Sequence, residues 1–361
     1  MLYHLLFPLS EEFALLNVFR YITFRAAGAI ITALLLSVIF GPWFVRTLRR
    51  LSIGQNIRDV GPDSHQVKAG TPTMGGLLIL FALMTSTLLW ANLENFYVWL
   101  VLLTTAAFGA IGFADDWLKV RNRRNLGLTA RTKFLLQALA AGAAGVCLLM
   151  WAPDDPLRAT LTFPFFKNIM LYLGAFYVPF MMLVLVGCSN AVNLTDGLDG
   201  LATGATLIAA STYAILTYVA GHRLVAEYLQ VAYVAGLGEV AIFCAALSGA
   251  SLGFLWFNAH PAEVFMGDVG SLSIGAAIGS VAVLAKQELL LVVVGGLFVM
   301  EALSVILQVT SFKLTGRRIF RMAPLHHHFE LAGWAEPKII VRFWILALIF
   351  GLMGLATLKL R

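Results

Sequence analysis

The sequence predicts an all-α polytopic membrane protein with ten transmembrane helices and both termini periplasmic. Three observations predict it. The 361 residues are 60% hydrophobic and only 12% charged, with a mean hydropathy of +0.86, whereas soluble domains carry about 25% charged residues. Ten apolar stretches suit a hydrocarbon core that takes about 20 helical residues to cross. Lys and Arg crowd into alternate connections, the bias that sets membrane orientation. The chain reads as one integral membrane domain over residues 1–361.

The spans are expected near residues 21–45, 72–92, 96–114, 132–151, 170–188, 200–220, 239–257, 271–286, 288–311 and 339–358. The first nineteen residues carry no Lys or Arg, so no cleavable signal peptide is expected. The eighth span is short and rich in Gly, Ala and Ser, which suits close helix packing. The odd-numbered connections hold sixteen Lys and Arg residues and the even-numbered ones four, so the odd connections are expected in the cytoplasm. Residues 152–169 carry three prolines and are expected to be irregular. Residues 221–238 are expected to form a short amphipathic helix on the outer surface. Cys147, Cys188 and Cys244 sit in apolar runs and read as small core residues, not as a disulfide or metal framework. The net charge of +6 fits basic loops facing anionic membrane lipids and the cytoplasm, and no nucleic acid partner is expected.

Every unusual polar motif falls in an odd connection: "KAGTPTMGG", "DDWLK", "NAVNLTDGLDG", "FNAHPAEVFMGDVGS" and "MAPLHHHFE". One cytoplasmic site assembled from five loops explains this. Asp115 and Asp116 stand where the third span ends. Two adjacent carboxylates at a membrane boundary repel each other and resist burial, and a divalent cation offsets both penalties. Paired oxygens near phosphate imply Mg²⁺; a solvated acidic helix end is the plainer alternative. Asn193, Asp196 and Asp199, spaced by three, are expected along one side of a helical turn. Asp268, between glycines, is expected either to cap the eighth span or to ligate the metal. Asn258 is a polar group at the inner end of span seven.

Lys68, Thr71 and Thr73 suit phosphate oxygens, beside the blander reading of a basic juxtamembrane loop. His326, His327 and His328 are too close in sequence to converge on one metal from regular structure. Hydrogen bonding to a diphosphate or nucleotide is preferred to zinc. Glu301, mid-span with Ser304 and Gln308 on its face, is expected to face the bundle interior and to pair with an unidentified group.

In this order the motifs "GTPTMGG", "DDWLK", "NAVNLTDGLDG", "FMGDVGS" and "MAPLHHHFE" closely resemble the phospho-N-acetylmuramoyl-pentapeptide transferases, the MraY translocases of the polyprenyl-phosphate HexNAc-1-phosphate transferase superfamily. The likeness covers essentially the whole chain. The histidine motif sets it apart from relatives that transfer N-acetylglucosamine 1-phosphate. The resemblance implies transfer of phospho-MurNAc-pentapeptide from UDP-MurNAc-pentapeptide to undecaprenyl phosphate, giving lipid I and UMP, with Mg²⁺ required. It also implies an active-site cleft at the cytoplasmic face, a bacterial inner-membrane location, membrane lipids as surroundings and a homodimer. By matching positions, Asp115, Asp116 and Asp268 are implied as the catalytic and metal-binding acids. Lys68, Thr73, Lys119, Asn193, Asp196, Asp199, Asn258, His326, His327 and His328 are implied as substrate contacts. A related UDP-HexNAc transferase is the near alternative. A secondary transporter or lipid flippase is the distant one, although transporters place ionisable groups near the midplane and these motifs gather at one face.

Overall fold

A computed structural model of the chain describes residues 1–51, 70–122, 127–152, 157–164 and 166–359. In chain order the α-helices are α1 (Leu2–Leu6), α2 (Ile22–Arg50), α3 (Gly76–Trp90), α4 (Phe96–Arg121), α5 (Ala130–Trp151), α6 (Tyr177–Thr195), α7 (Leu201–Gly221), α8 (Arg223–Leu229), α9 (Val240–Asn258), α10 (Gly267–Leu284), α11 (Leu291–Val294), α12 (Gly296–Thr315), α13 (Leu325–Leu331) and α14 (Glu336–Ala356). Among the described residues, nine segments are long and apolar enough to cross a membrane. They are built on α2, α4, α5, α6, α7, α9, α10, α12 and α14. The expected second span is α3, a helix of 15 residues, about 22 Å long at 1.5 Å per residue.

Helix starts follow local chemistry. Asn95 caps α4 by accepting from the Tyr97 and Val98 N–H groups at 2.9 and 3.2 Å, and Thr129 caps α5 through the Thr132 N–H; both satisfy donors that have no intrahelical partner. The small-residue helix α10 is the centre of the bundle: 89% of its span is buried, against 22% for α12. It packs on α4 and α6, while α9 packs on α2 and α7. Its Gly, Ala and Ser residues let neighbouring backbones approach closely, as the composition predicts.

Three expectations about the connections need correction. Two antiparallel strands, β1 (Thr160–Phe163) and β2 (Phe166–Tyr172), lie here, paired Thr160 with Tyr172 and Thr162 with Met170. The β-branched and aromatic residues of this stretch favour a pleated ribbon, so the fold is not wholly helical and the fifth span starts only at Gly174. The outer amphipathic helix shrinks to the seven residues of α8. The ninth span is interrupted at Gly295, between α11 and α12.

Away from the motifs, Arg25 forms a two-pronged ion pair with Glu239, with Nη2–Oε1 2.6 Å and Nη1–Oε2 2.7 Å. Arg25 is 2% exposed. Glu239 also accepts from the Asn92 N–H. This ties the starts of α2 and α9 to the end of α3, so the opposite ends of these helices come together where the motifs lie.

Candidate active site

Helix α4 does not stop at the carboxylates, as the hydropathy suggested, but runs on to Arg121. Asp115 and Asp116 are therefore helical, and each is 3% exposed. The helix continues because its next turn brings neutralising charge. Lys119 Nζ lies 2.6 Å from Asp115 Oδ2, 3.3 Å from Asp116 Oδ1 and 2.7 Å from Asp268 Oδ2. Lys133, in the first turn of α5, reaches Asp268 Oδ2 at 2.8 Å. Backbone donors complete the set: Leu128 N–H to Asp115 Oδ1 at 2.8 Å and Val269 N–H to Asp116 Oδ2 at 3.1 Å.

Asp268 does not cap α10. It sits in the helix's first turn, with its carboxylate shared between the two lysines and Asn193, whose Nδ2 donates to Oδ1 at 2.6 Å. Gly267, at φ +73°, makes the approach possible: a Cβ there would stand 2.6 Å from Asp116 Oδ2 and 2.8 Å from Thr73 Oγ1. A side chain would clash with both and would force an unfavourable left-handed conformation. Thr73 is thereby placed beside the acidic trio. Lys68 lies outside the described residues.

Asn193, Asp196 and Asp199 do not share one helical face. Helix α6 ends at Thr195, and Asp196 follows with ψ 56°, which turns the chain away. Asn193 faces Asp268. Asp196 accepts from the Gly267 N–H, yet burial and the Asp268, Asp116 and Asp199 charges push its carboxyl up to about 7. Asp199 instead accepts from the Ala262 N–H at 3.1 Å and meets His260 Nδ1 at 3.2 Å. Asn258 braces the same connection, with Oδ1 accepting from Thr203 and Nδ2 donating to the Val264 carbonyl.

The three histidines take different partners, although the His326 and His327 rings touch edge-on at 4.1 Å between centroids. His326 is fully buried, with Nδ1 3.3 Å from Glu301 Oε1 and its ring against Gly197. A Cβ on Gly197 would lie 2.2 Å from His326 Nε2. His327 Nδ1 meets Glu330 Oε2 at 2.6 Å, and His328 Nδ1 accepts from the Arg321 N–H at 3.1 Å. The structure thus brings Asp115, Asp116, Lys119, Asn193, Asp196, Asp268 and Thr73 to one place. Asp199, in the connection after α6, and Asn258, the last residue of α9, border it, and His326 reaches it through the "DGLDG" turn.

Sequence reasoning missed Lys133, counted only as a loop charge, and Ser271, which accepts from Asn193 at 2.8 Å. A lysine at the head of a span is the one signal that marked the first. Carboxylate oxygens of Asp115, Asp116 and Asp268 lie within 4.8 Å of one another. Such oxygen donors fit a hard divalent cation, and three carboxylates outnumber the two lysines that face them.

The chain matches the family model described as glycosyl transferase family 4 over residues 98–286, and the phospho-N-acetylmuramoyl-pentapeptide-transferase signature 1 over residues 68–80. It is 60% identical to the phospho-N-acetylmuramoyl-pentapeptide-transferase of Oleidesulfovibrio alaskensis. It is 58% identical to that of Desulfosudis oleivorans and 57% identical to that of Pelobacter propionicus. In each case all of both chains is covered. On these matches, which span every motif that builds the acidic cluster, the chain belongs to the phospho-N-acetylmuramoyl-pentapeptide-transferase family.

Proposed function

We propose that the protein transfers phospho-MurNAc-pentapeptide from UDP-MurNAc-pentapeptide to undecaprenyl phosphate, giving lipid I and UMP in peptidoglycan synthesis. Mg²⁺ is the cofactor. The observation that carries this reading is the trio Asp115, Asp116 and Asp268, held with Lys119 and Lys133 at one end of an apolar bundle, in a chain whose relatives bear that name. One substrate is a water-soluble diphosphate; the other is anchored by its isoprenoid tail. They can meet only at a membrane face, and the basic connections make that face cytoplasmic. The full reading is a single inner-membrane unit with ten crossings, α3 among them, working as a homodimer.

Asp115, Asp116 and Asp268 would hold the cation, which when bound screens the repulsion between the phosphates and stabilises the departing UMP. Lys119 and Lys133 orient the acidic trio and add positive charge where the phosphoryl group passes. The lipid phosphate oxygen attacks the sugar-bearing phosphorus, forming a new P–O–P bond. The bond to the UMP phosphate breaks, and its electron pair leaves with UMP. Asp115 is the base for any proton on the attacking phosphate. The demand on it is small, because the second ionisation of a phosphate monoester falls near about 6. Direct attack is favoured over a covalent route because each candidate nucleophilic carboxylate is already tied to an ammonium or a backbone N–H.

Isotope exchange tests the reading. Radiolabelled UMP is expected to enter UDP-MurNAc-pentapeptide only when undecaprenyl phosphate and Mg²⁺ are both present. No exchange under those conditions would overturn it and return the chain to transporter or flippase chemistry. Exchange supported by UDP-GlcNAc instead would reassign it to the related hexosamine transferases.

A further inference from the structure

Beside the histidine helix lies a second feature that the reaction does not use. An apolar groove of about 360 Å³ runs between α12, α13 and α14, lined by Met300, Leu325, Phe329, Trp334, Phe343 and Leu346, with Arg342 at its edge. That volume is near the low end of small-molecule sites, about 300–1,000 Å³, and suits part of one hydrocarbon chain. Its aromatic floor is ordered: Phe329 packs on Trp334 at 4.6 Å between centroids and edge-on against Phe343 at 5.9 Å. The lining faces outward from the bundle, since Ile345 beside it is 52% exposed.

The charge at the mouth is one-sided. The Arg342 guanidinium lies over the Trp334 ring at 4.2 Å, and Lys338 Nζ lies 6.0 Å from the same ring. Both residues are exposed, and among the described residues neither has an acidic partner. A guanidinium over an aromatic face still has N–H groups to offer an anion. An indole beside two cations at the head of a spanning helix matches the headgroup level of a bilayer.

We infer that this groove binds a membrane phospholipid with an anionic headgroup, one acyl chain lying along Leu325, Phe329 and Phe343 and the phosphate on Arg342 and Lys338. The inference rests on the proposed membrane placement. The polyprenyl phosphate acceptor is the less suitable occupant. Its phosphate has to reach Lys119 and Asp268, whereas the cations here belong to α14, and the basic partners of the acidic trio among the described residues are Lys119 and Lys133. A lipid chain in the groove bears directly on α13, whose first-turn His326 packs on the "DGLDG" turn of the site. The bound lipid therefore supports the histidine helix in the position that the site requires.

The test uses the full-length protein purified in mild detergent and in nanodiscs. Native mass spectrometry counts retained phosphatidylglycerol against phosphatidylcholine. Wild type is expected to retain phosphatidylglycerol selectively. Each basic residue near an anionic lipid surface is worth about fivefold, so the R342Q/K338Q pair is expected to lower that retention roughly thirtyfold. L346W, which fills the groove and leaves both charges, is expected to lose retention as well. Thermal unfolding identifies any variant that fails to fold. Unchanged retention in folded R342Q/K338Q and L346W would overturn the inference, as would retention of undecaprenyl phosphate in place of phosphatidylglycerol. Retention is read without turnover, so the result stands apart from the exchange assay. In nanodiscs, wild-type exchange is expected to rise with phosphatidylglycerol, and that of R342Q/K338Q to stay level.

Discussion

Glu301 caps the histidine helix from across the fold. Its Oε2 accepts from the Leu325 N–H at 2.7 Å, its Oε1 accepts from the His326 N–H at 3.2 Å, and Oε1 also stands 3.3 Å from His326 Nδ1. Both residues are fully buried. Pro324, the N-cap position of α13, offers no side-chain acceptor, so a carboxylate from α12 does the capping. Removing it in E301A leaves the buried His326 N–H unpaired, at about 1–3 kcal/mol, and the half-buried Leu325 N–H with it. A lower melting temperature and loss of exchange activity are expected, with E301Q intermediate because its amide retains one acceptor oxygen. Unaltered thermal unfolding in E301A would show that α13 does not depend on this carboxylate.

Gly197 is required by the ring it faces. G197A places a methyl about where His326 Nε2 already sits, 2.2 Å away. The imidazole is fully buried and cannot move aside without shifting α13. A loss of activity at least as large as that of H326A is expected in the exchange assay. G197A with wild-type turnover would mean that the His326 ring can relocate freely.

Lys133 is expected to matter more than a loop charge. K133M removes one of the two ammonium groups on Asp268 Oδ2. A hydrogen bond to a charged group is worth about 1.5–3 kcal/mol, so turnover is expected to fall about ten- to hundredfold, with the protein still folded in detergent. Full activity in K133M would remove this lysine from the site.

The acidic trio is expected to be essential one residue at a time. D115N, D116N and D268N each keep the shape of the side chain and delete a charge. Each is expected to lower turnover by at least about a thousandfold while chromatographic behaviour and melting temperature stay near wild type. Measurable activity near the wild-type level in any of them would take that residue out of the catalytic set.

At the opposite end of the bundle, burial pushes the Glu288 carboxyl from 4.5 up to about 7, although Lys286 and the Tyr177 hydroxyl pull it back. Tyr177 donates to Glu288 and itself accepts from Lys286 Nζ at 2.9 Å. Because the folded state binds this proton more tightly than the unfolded chain, its contribution to stability is whole below about 4.5 and is lost as pH rises towards 7. Thermal unfolding from pH 4.5 to 7.5 is expected to show that decline in wild type and a flatter profile in E288Q. Parallel profiles would remove Glu288 as the cause.

Much of this molecule was legible in the chain alone. Hydropathy located the apolar helices because a bilayer demands about 20 apolar residues per crossing wherever they fall. Asp115, Asp116 and Asp268 stood out because charges are costly beside such runs. The failures came where a distant group changed a local rule. Hydropathy ended α4 at its carboxylates because it could not see Lys119 folding back on them and Lys133 arriving from α5. Periodicity aligned Asn193 with Asp199 because nothing local announced that the helix would turn at Asp196. The paired strands β1 and β2 were hidden by Pro164 between them and by two prolines just before, although their pairing residues were ordinary strand formers.

The sequence by itself determined that this is a helical membrane protein with its polar chemistry gathered at one end, since hydrophobic length and charge placement are properties of residues one at a time. Only the tertiary structure decided which acids share a lysine, that Glu301 belongs to the histidine helix, and that Gly197 must yield its space to His326. Those are pairings between segments far apart in the chain. Their energies depend on distance and desolvation, which no single stretch of residues carries.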